Sequence, residues 1–265
     1  MMPRKLLDSF PSLKRLLRRI RDRFFPSSSV SSSYVPIESG HIDSEAYRLK
    51  DSWQSTGMPV RQRELVNRQL ENYQQGKAVD VFDVIVAALQ NLKGKDGGKS
   101  LLEVGCSSGY YSEVLKIRNL PFSYTGCDYS EAFIALGRQY YPDVPFFVQD
   151  ATALDFAESA FDVVVSGCCL LHIPDFEKAI AETARVARQY AIFHRTPVVT
   201  GVPHQYYRKQ AYGIETVEIH FNEDELVNLF SRYGLKLIDT LTLSEEPFAS
   251  DSDAMRYDRT YICKK

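Results

Sequence analysis

Residues 101–115 read LLEVGCSSGYYSEVL, and this stretch decides the fold. Four residues with the composition of a buried strand run into a turn with glycine at 105 and 109, and a helical pattern starts directly behind it. A strand that enters a helix through a glycine turn places backbone N–H groups at a helix N-terminus, where nucleotide-like ligands bind. The dinucleotide pattern G-x-G-x-x-G is not met, because Ser107 and Tyr110 stand at its second and third glycines. The shorter pattern G-x-G-x-G is met at Gly105 and Gly109, with Ser107 between them. A pyrophosphate needs the close helix approach that the third dinucleotide glycine allows; a ligand without phosphates does not.

Outward from this turn, short apolar runs alternate with helical stretches. LLEVG, SYTGCD, PFFVQD, FDVVVSG and YAIFHRT are separated by helical patterns at 109–118, 130–140 and 175–188. Strands that alternate with helices imply right-handed crossovers and a parallel sheet. A helix at about 222–233 and two strands, GLKLIDTLTL and RTYICKK, close the chain. The fold expected is α/β: a Rossmann-like, doubly wound, mostly parallel seven-stranded sheet with helices on both faces. The 265 residues suit one such domain with extensions. Its parts are an N-terminal helical section at 45–98, a cofactor-binding core at 99–200, a connection at 201–213 and closing elements at 214–265.

Ligands of such sheets lie at the carboxyl ends of the strands. The second strand ends in Asp128, twenty-three residues after Gly105, where a carboxylate can accept hydrogen bonds from both ribose hydroxyls. The third ends at Asp150, where an acid can meet an adenine amine and Ala151 offers a backbone N–H. The ligand suggested is a phosphate-free nucleoside.

With these motifs in order, the chain resembles the class I S-adenosylmethionine-dependent methyltransferase family. LLEVGCSSG resembles the first motif, YTGCDYS the segment with the ribose-binding acid, VQDATALDF the adenine segment, and FDVVVSGCCLLHIPD the fourth strand and its turn. The resemblance covers roughly residues 80–200. It implies S-adenosyl-L-methionine as cofactor, held by Glu103, Gly105, Cys106, Ser107, Gly109, Asp128, Tyr129, Asp150, Ala151 and Ser166. Glu103 is expected at the methionine end, or else in a structural pair, since a buried carboxylate needs a partner. Ser107 departs from the family's glycine, at a cost of about 1 kcal/mol if its φ is positive.

Methyl transfer is a direct displacement, so the protein must align an acceptor and remove its proton. His194, at the end of the fifth strand, is the first candidate base and His172, after the fourth strand, the second. Arg195, Tyr206, Tyr207 and Arg208 are the candidate substrate residues, the last three within a glycine-bounded segment at 201–213 that is either a lid or a surface loop. The expected acceptor is a small or medium-sized polar molecule methylated at oxygen or nitrogen. The alternative is a non-catalytic S-adenosylmethionine-binding scaffold that works through its N-terminal helix. The missing glycines disfavour a nicotinamide oxidoreductase.

The net charge of −2 conceals an uneven balance. Residues 1–25 carry eight Lys/Arg and two Asp, a charge of +6, which leaves −8 for the rest. Leu6, Phe10, Leu13, Leu17, Ile20 and Phe24 fall on one helical stripe there, so a basic amphipathic helix is expected, in peripheral contact with a membrane or a protein partner, the alternatives being packing on the protein's own body or a disordered arm. A serine-rich linker is expected at 26–44. The acidic body lacks a basic track for nucleic acid. Five cysteines without Cys-x-x-Cys spacing, and no secretory signal, are expected as reduced thiols in the cytoplasm, with no metal bound.

Overall fold

The computed structural model describes residues 31–92, 98–248 and 253–265. The helix expected at 4–25 lies outside them. Strand β2 (Lys99–Val104) and β5 (Phe161–Gly167) form the centre of the sheet. Leu101, Leu102, Val104 and Val163–Val165 are all buried, as continuous apolar runs must be when helices cover both faces. β3 (Phe122–Asp128) and β4 (Phe146–Val148) extend the parallel sheet on one side, and β6 (Ala187–Val199) on the other. β10 (Met255–Lys264) then runs antiparallel to β6, and β9 (Lys236–Pro247) antiparallel to β10. These are the seven strands anticipated from the sequence.

Among the described residues, however, the sheet has ten strands. β1 (Ser31–Pro36), β7 (Gln205–Ala211) and β8 (Ile214–Asn222) form an antiparallel layer, with β1 against β7 and β7 against β8. It joins the main sheet only where Val198 and Val199 of β6 meet Phe221 and Asn222. The segment 201–213 is therefore not a free lid: its residues from Gln205 onward form a hairpin strand that turns at Tyr212–Gly213. The serine-rich stretch is likewise not all linker, because Ser31–Pro36 pairs with that strand.

Helices α1 (Ile42–Leu49), α2 (Met58–Gln74) and α3 (Asp80–Gln90) precede β2. In α3, Phe82, Ile85, Ala88 and Leu89 are buried at helical spacing. The crossover helices are α4 (Tyr111–Ile117), α5 (Glu131–Tyr140) and α6 (Phe176–Val186); α7 (Glu223–Arg232) leads into β9. Asn222 caps α7 by accepting a hydrogen bond from the Glu225 N–H at 2.9 Å. The antiparallel layer and the α1–α2 segment close over the carboxyl ends of β2, β3, β5 and β6, which enclose the site.

Candidate active site

The glycine turn after β2 shows why two glycines remain and one is dispensable. Gly105 has φ +72°, and a Cβ there would lie 2.3 Å from Cys169 Cβ. Gly109 has φ +71°, and its Cβ would lie 2.3 Å from the Phe146 ring. Ser107 also has positive φ, at 48°, yet its amide donates to Asp128 Oδ2 at 2.9 Å. That bond ties the turn to the end of β3 and offsets the backbone cost. Asp128 Oδ1 accepts from the Ser130 N–H at 2.9 Å. Burial pushes the Asp128 carboxyl up to about 6, against the pull of these two amides.

A cavity of about 670 Å³ opens onto this turn, within the range of about 300–1,000 Å³ typical of ligand sites. Gly105, Ser107, Asp128, Tyr129, Asp150 and Ala151 all line it. Asp150 Oδ1 accepts from the Thr152 N–H and hydroxyl, both at 2.8 Å, so it also orders its own turn. Glu103, Cys106, Gly109 and Ser166 stand behind this wall rather than in it. Glu103 takes the pairing that a buried carboxylate needs: Tyr124 donates its hydroxyl to Oε2. Burial pushes the Glu103 carboxyl well up. Its other oxygen approaches Gly167, where a Cβ would come within 2.5 Å of it.

The far half of the cavity is assembled from segments distant in sequence. Trp53 packs on His172 with ring centroids 4.7 Å apart, donates Nε1–H to Thr216 Oγ1 at 3.0 Å, and donates its amide to the Tyr129 hydroxyl at 3.1 Å. His172 Nδ1 lies 2.6 Å from the Val217 carbonyl oxygen, which can only accept. The proton therefore sits on Nδ1, and Nε2 carries a lone pair. Burial lowers the His172 ring to about 4, so it is neutral at physiological pH.

His194, the first candidate base, is not on the cavity wall. It is 1% exposed, with Nε2 at 2.9 Å from the Tyr111 hydroxyl and Nδ1 at 3.0 Å from Thr260 Oγ1. With both nitrogens engaged and no opening to the cavity, it has no route to an acceptor. Arg195 does line the cavity, but Tyr206, Tyr207 and Arg208 do not. On β7 the wall residues are Lys209 and Ala211, which share a face by the two-residue strand period. Tyr207 shares that face but packs on His220, with centroids 4.8 Å apart.

The sequence reading missed Glu218, His220 and Asp258, which all line the cavity. Lys209 donates to Glu218 Oε2, and His220 Nε2 lies 3.0 Å from Glu218 Oε1. Although burial opposes it, the His220 hydrogen bond and the Lys209 charge hold the Glu218 carboxyl down at about 2. A period-two alternation in ETVEIHF was the available signal, because it puts Glu218 and His220 on one face of a strand.

Comparison with known proteins points to a methyltransferase domain. Residues 102–194 match the family model of a methyltransferase domain. This match, a similar methyltransferase and a shared fold together support the class I S-adenosylmethionine-dependent methyltransferase family. A phthiotriol/phenolphthiotriol dimycocerosates methyltransferase of Mycobacterium tuberculosis is 36% identical over 99 residues, 37% of each chain. A probable S-adenosylmethionine-dependent methyltransferase of Mycolicibacterium smegmatis is 26% identical over 168 residues, 62% of this chain and 63% of that one. Among solved structures, a Burkholderia thailandensis 1,6-didemethyltoxoflavin-N1-methyltransferase, with S-adenosylhomocysteine bound, superposes with a TM-score of 0.54 at 16% identity. That match covers 88% of this chain and 94% of the other, and it shows the fold. The match to the mycobacterial dimycocerosates enzyme spans only 37% of that relative's length. These findings support S-adenosylmethionine as the cofactor, and the acceptor carboxylates of Asp128 and Asp150, with Tyr129 and Ala151, stand on the cavity wall.

Proposed function

We propose that this protein transfers a methyl group from S-adenosylmethionine to an oxygen or nitrogen of a small or medium-sized polar acceptor. The observation that carries the proposal is a single cavity: one half is the cofactor turn with its two strand-end acids, and the other half is walled by polar and aromatic groups. When bound, the cofactor supplies an electrophilic methyl group on a sulfonium. Asp128 would accept from the ribose hydroxyls, Asp150 and Ala151 would meet the adenine, and Ser107 would stand beside the amino-acid end. Two of the cofactor candidates act indirectly: Gly109 clears Phe146 and Glu103 fills the space beside Gly167.

The acceptor loses one proton as the carbon–oxygen or carbon–nitrogen bond forms. His172 is the base that the geometry favours, because Val217 fixes its tautomer and Nε2 is left as acceptor. A ring lowered to about 4 by burial is a weak base. It therefore suits an acceptor whose proton is shed as the bond to carbon forms.

The test incubates the protein with S-adenosylmethionine and a panel of polar alcohols, amines and phenols, and measures S-adenosylhomocysteine release. Release with one class supports transfer to that class. Tight cofactor binding by calorimetry, with no release across the panel, supports a binding scaffold instead.

A further inference from the structure

The end of β6 is irregular in a way that points one side chain into the cavity. Thr196 pairs with Arg259 and Phe193 with Tyr261, so His194 and Arg195 together face the single residue Thr260. Two residues against one is a β-bulge, which re-aims a side chain and is common beside active sites. Arg195 sits there with φ +53°, a conformation that costs a non-glycine residue about 1–2 kcal/mol. Thr260 Oγ1 holds the bulge from both sides, 3.2 Å from the Arg195 amide and 3.0 Å from His194 Nδ1. His194 is thus a positioning residue, locked to Tyr111 behind it.

The guanidinium so placed is poorly paired. Its nearest carboxylate is Asp258, 3.8 Å from Nε, beyond hydrogen-bond reach. Nε is buried without a partner, while 31% of the side-chain surface stays open at the cavity. Of the other cations on the cavity wall, Lys209 is engaged with Glu218 and Arg256 with Glu246, while Lys50 lies over the Tyr47 ring. A guanidinium presents five donors in a planar fork that matches an oxyanion.

We propose that Arg195 anchors a carboxylate carried by the methyl acceptor, an inference that rests on the methyltransferase reading of the cavity. A monoanion fits better than a phosphate dianion, because Asp258, Glu218 and Glu246 already place negative charge on the same wall. The bulge gives the strain a purpose: it turns a strand-end arginine towards the space between the cofactor turn and the antiparallel layer.

The test uses the full chain and its only tryptophan, Trp53, which lines the cavity and reports on occupancy. Benzoate, benzamide and phenyl phosphate are titrated with and without S-adenosylhomocysteine. Benzoate should bind saturably and about tenfold or more tighter than benzamide, the size of effect of a charge-assisted hydrogen bond. R195Q should reduce benzoate binding to the benzamide level, and R195K should lie between. S-adenosylhomocysteine affinity of R195Q should stay at the wild-type value, which shows that the fold is intact. The proposal is overturned if benzoate does not bind, if it binds no better than benzamide, if R195Q binds it as the wild type does, or if phenyl phosphate binds more tightly. Failure of the wild type to bind S-adenosylhomocysteine would instead remove the methyltransferase reading, and the titrations without it would still decide the anion site.

Discussion

Asp128 gives the cofactor site a pH dependence whose sign follows from its surroundings. Its carboxyl lies at about 6, held up by burial and only partly relieved by the Ser107 and Ser130 amides. Ribose hydroxyls are donors, so they bind the carboxylate better than the acid, and binding lowers this value further. Above about pH 6 the group is already ionised and affinity should be flat. Below it the ligand must displace a proton, and affinity should fall by up to about tenfold per pH unit. Asp128→Asn removes the charge and sets an NH₂ group against one of the two backbone N–H donors. One charge-assisted bond lost to the ligand, worth about 1.5–3 kcal/mol, predicts affinity about 10–100-fold weaker at pH 7. The variant should also show no step near pH 6. Calorimetry with S-adenosylhomocysteine from pH 5 to 7, in two buffers of different ionisation heat, reads both affinity and proton release. Equal wild-type affinity at pH 5 and 7, or the same step in the Asn variant, would refute the role assigned to Asp128.

Other outcomes follow from the same geometry. His172→Gln should lower turnover about 10²–10⁴-fold on an acceptor found by the release screen, with cofactor affinity unchanged; a drop of less than threefold would remove His172 as base. Gly105→Ala places a Cβ against Cys169 at positive φ and should lose about 2–5 kcal/mol in urea unfolding, whereas Ser107→Gly should stay within about 1 kcal/mol of wild type; equal stability of the two variants would show that the turn relaxes freely. Deleting residues 1–25 leaves β1 whole and should reduce flotation with anionic vesicles at low salt while cofactor affinity persists; equal flotation of both forms would discard the membrane role read from the basic stripe.

The cofactor half was legible because its determinants are local. Gly105, Ser107 and Gly109 fall within one turn, Asp128 ends β3 and Asp150 lies two residues past the adjacent parallel β4, so spacing along the chain becomes proximity in space. The acceptor half was legible only at His172 and Arg195, for a physical reason. Its wall draws on Trp53, His172, Arg195, Lys209, Glu218 and Asp258, whose neighbourhood is set by strand pairing over long separations. His194 was misjudged because a strand end was assumed to point at the ligand, whereas a bulge hands that direction to Arg195. The segment 201–213 was read by composition as a lid or loop, and its pairing partner, β1, lay inside a serine run with no strand signature.

The polarity of this chamber is itself informative. Buried ion pairs add little to stability, since desolvation offsets much of their attraction, and apolar residues of similar size would pack the antiparallel layer at least as well. Yet five of the seven buried side-chain atoms without a hydrogen-bond partner, among the described residues, belong to cavity-wall residues: Gln62, Arg195, His220, Arg256 and Asp258. An unsatisfied buried polar atom costs about 1–3 kcal/mol, and such atoms rarely gather in one place. A surface built only to cover the sheet would have no reason to concentrate them around one cavity. The gathering of charged and polar side chains on one wall is what the proposal of a polar acceptor draws on, and Arg195 is part of it.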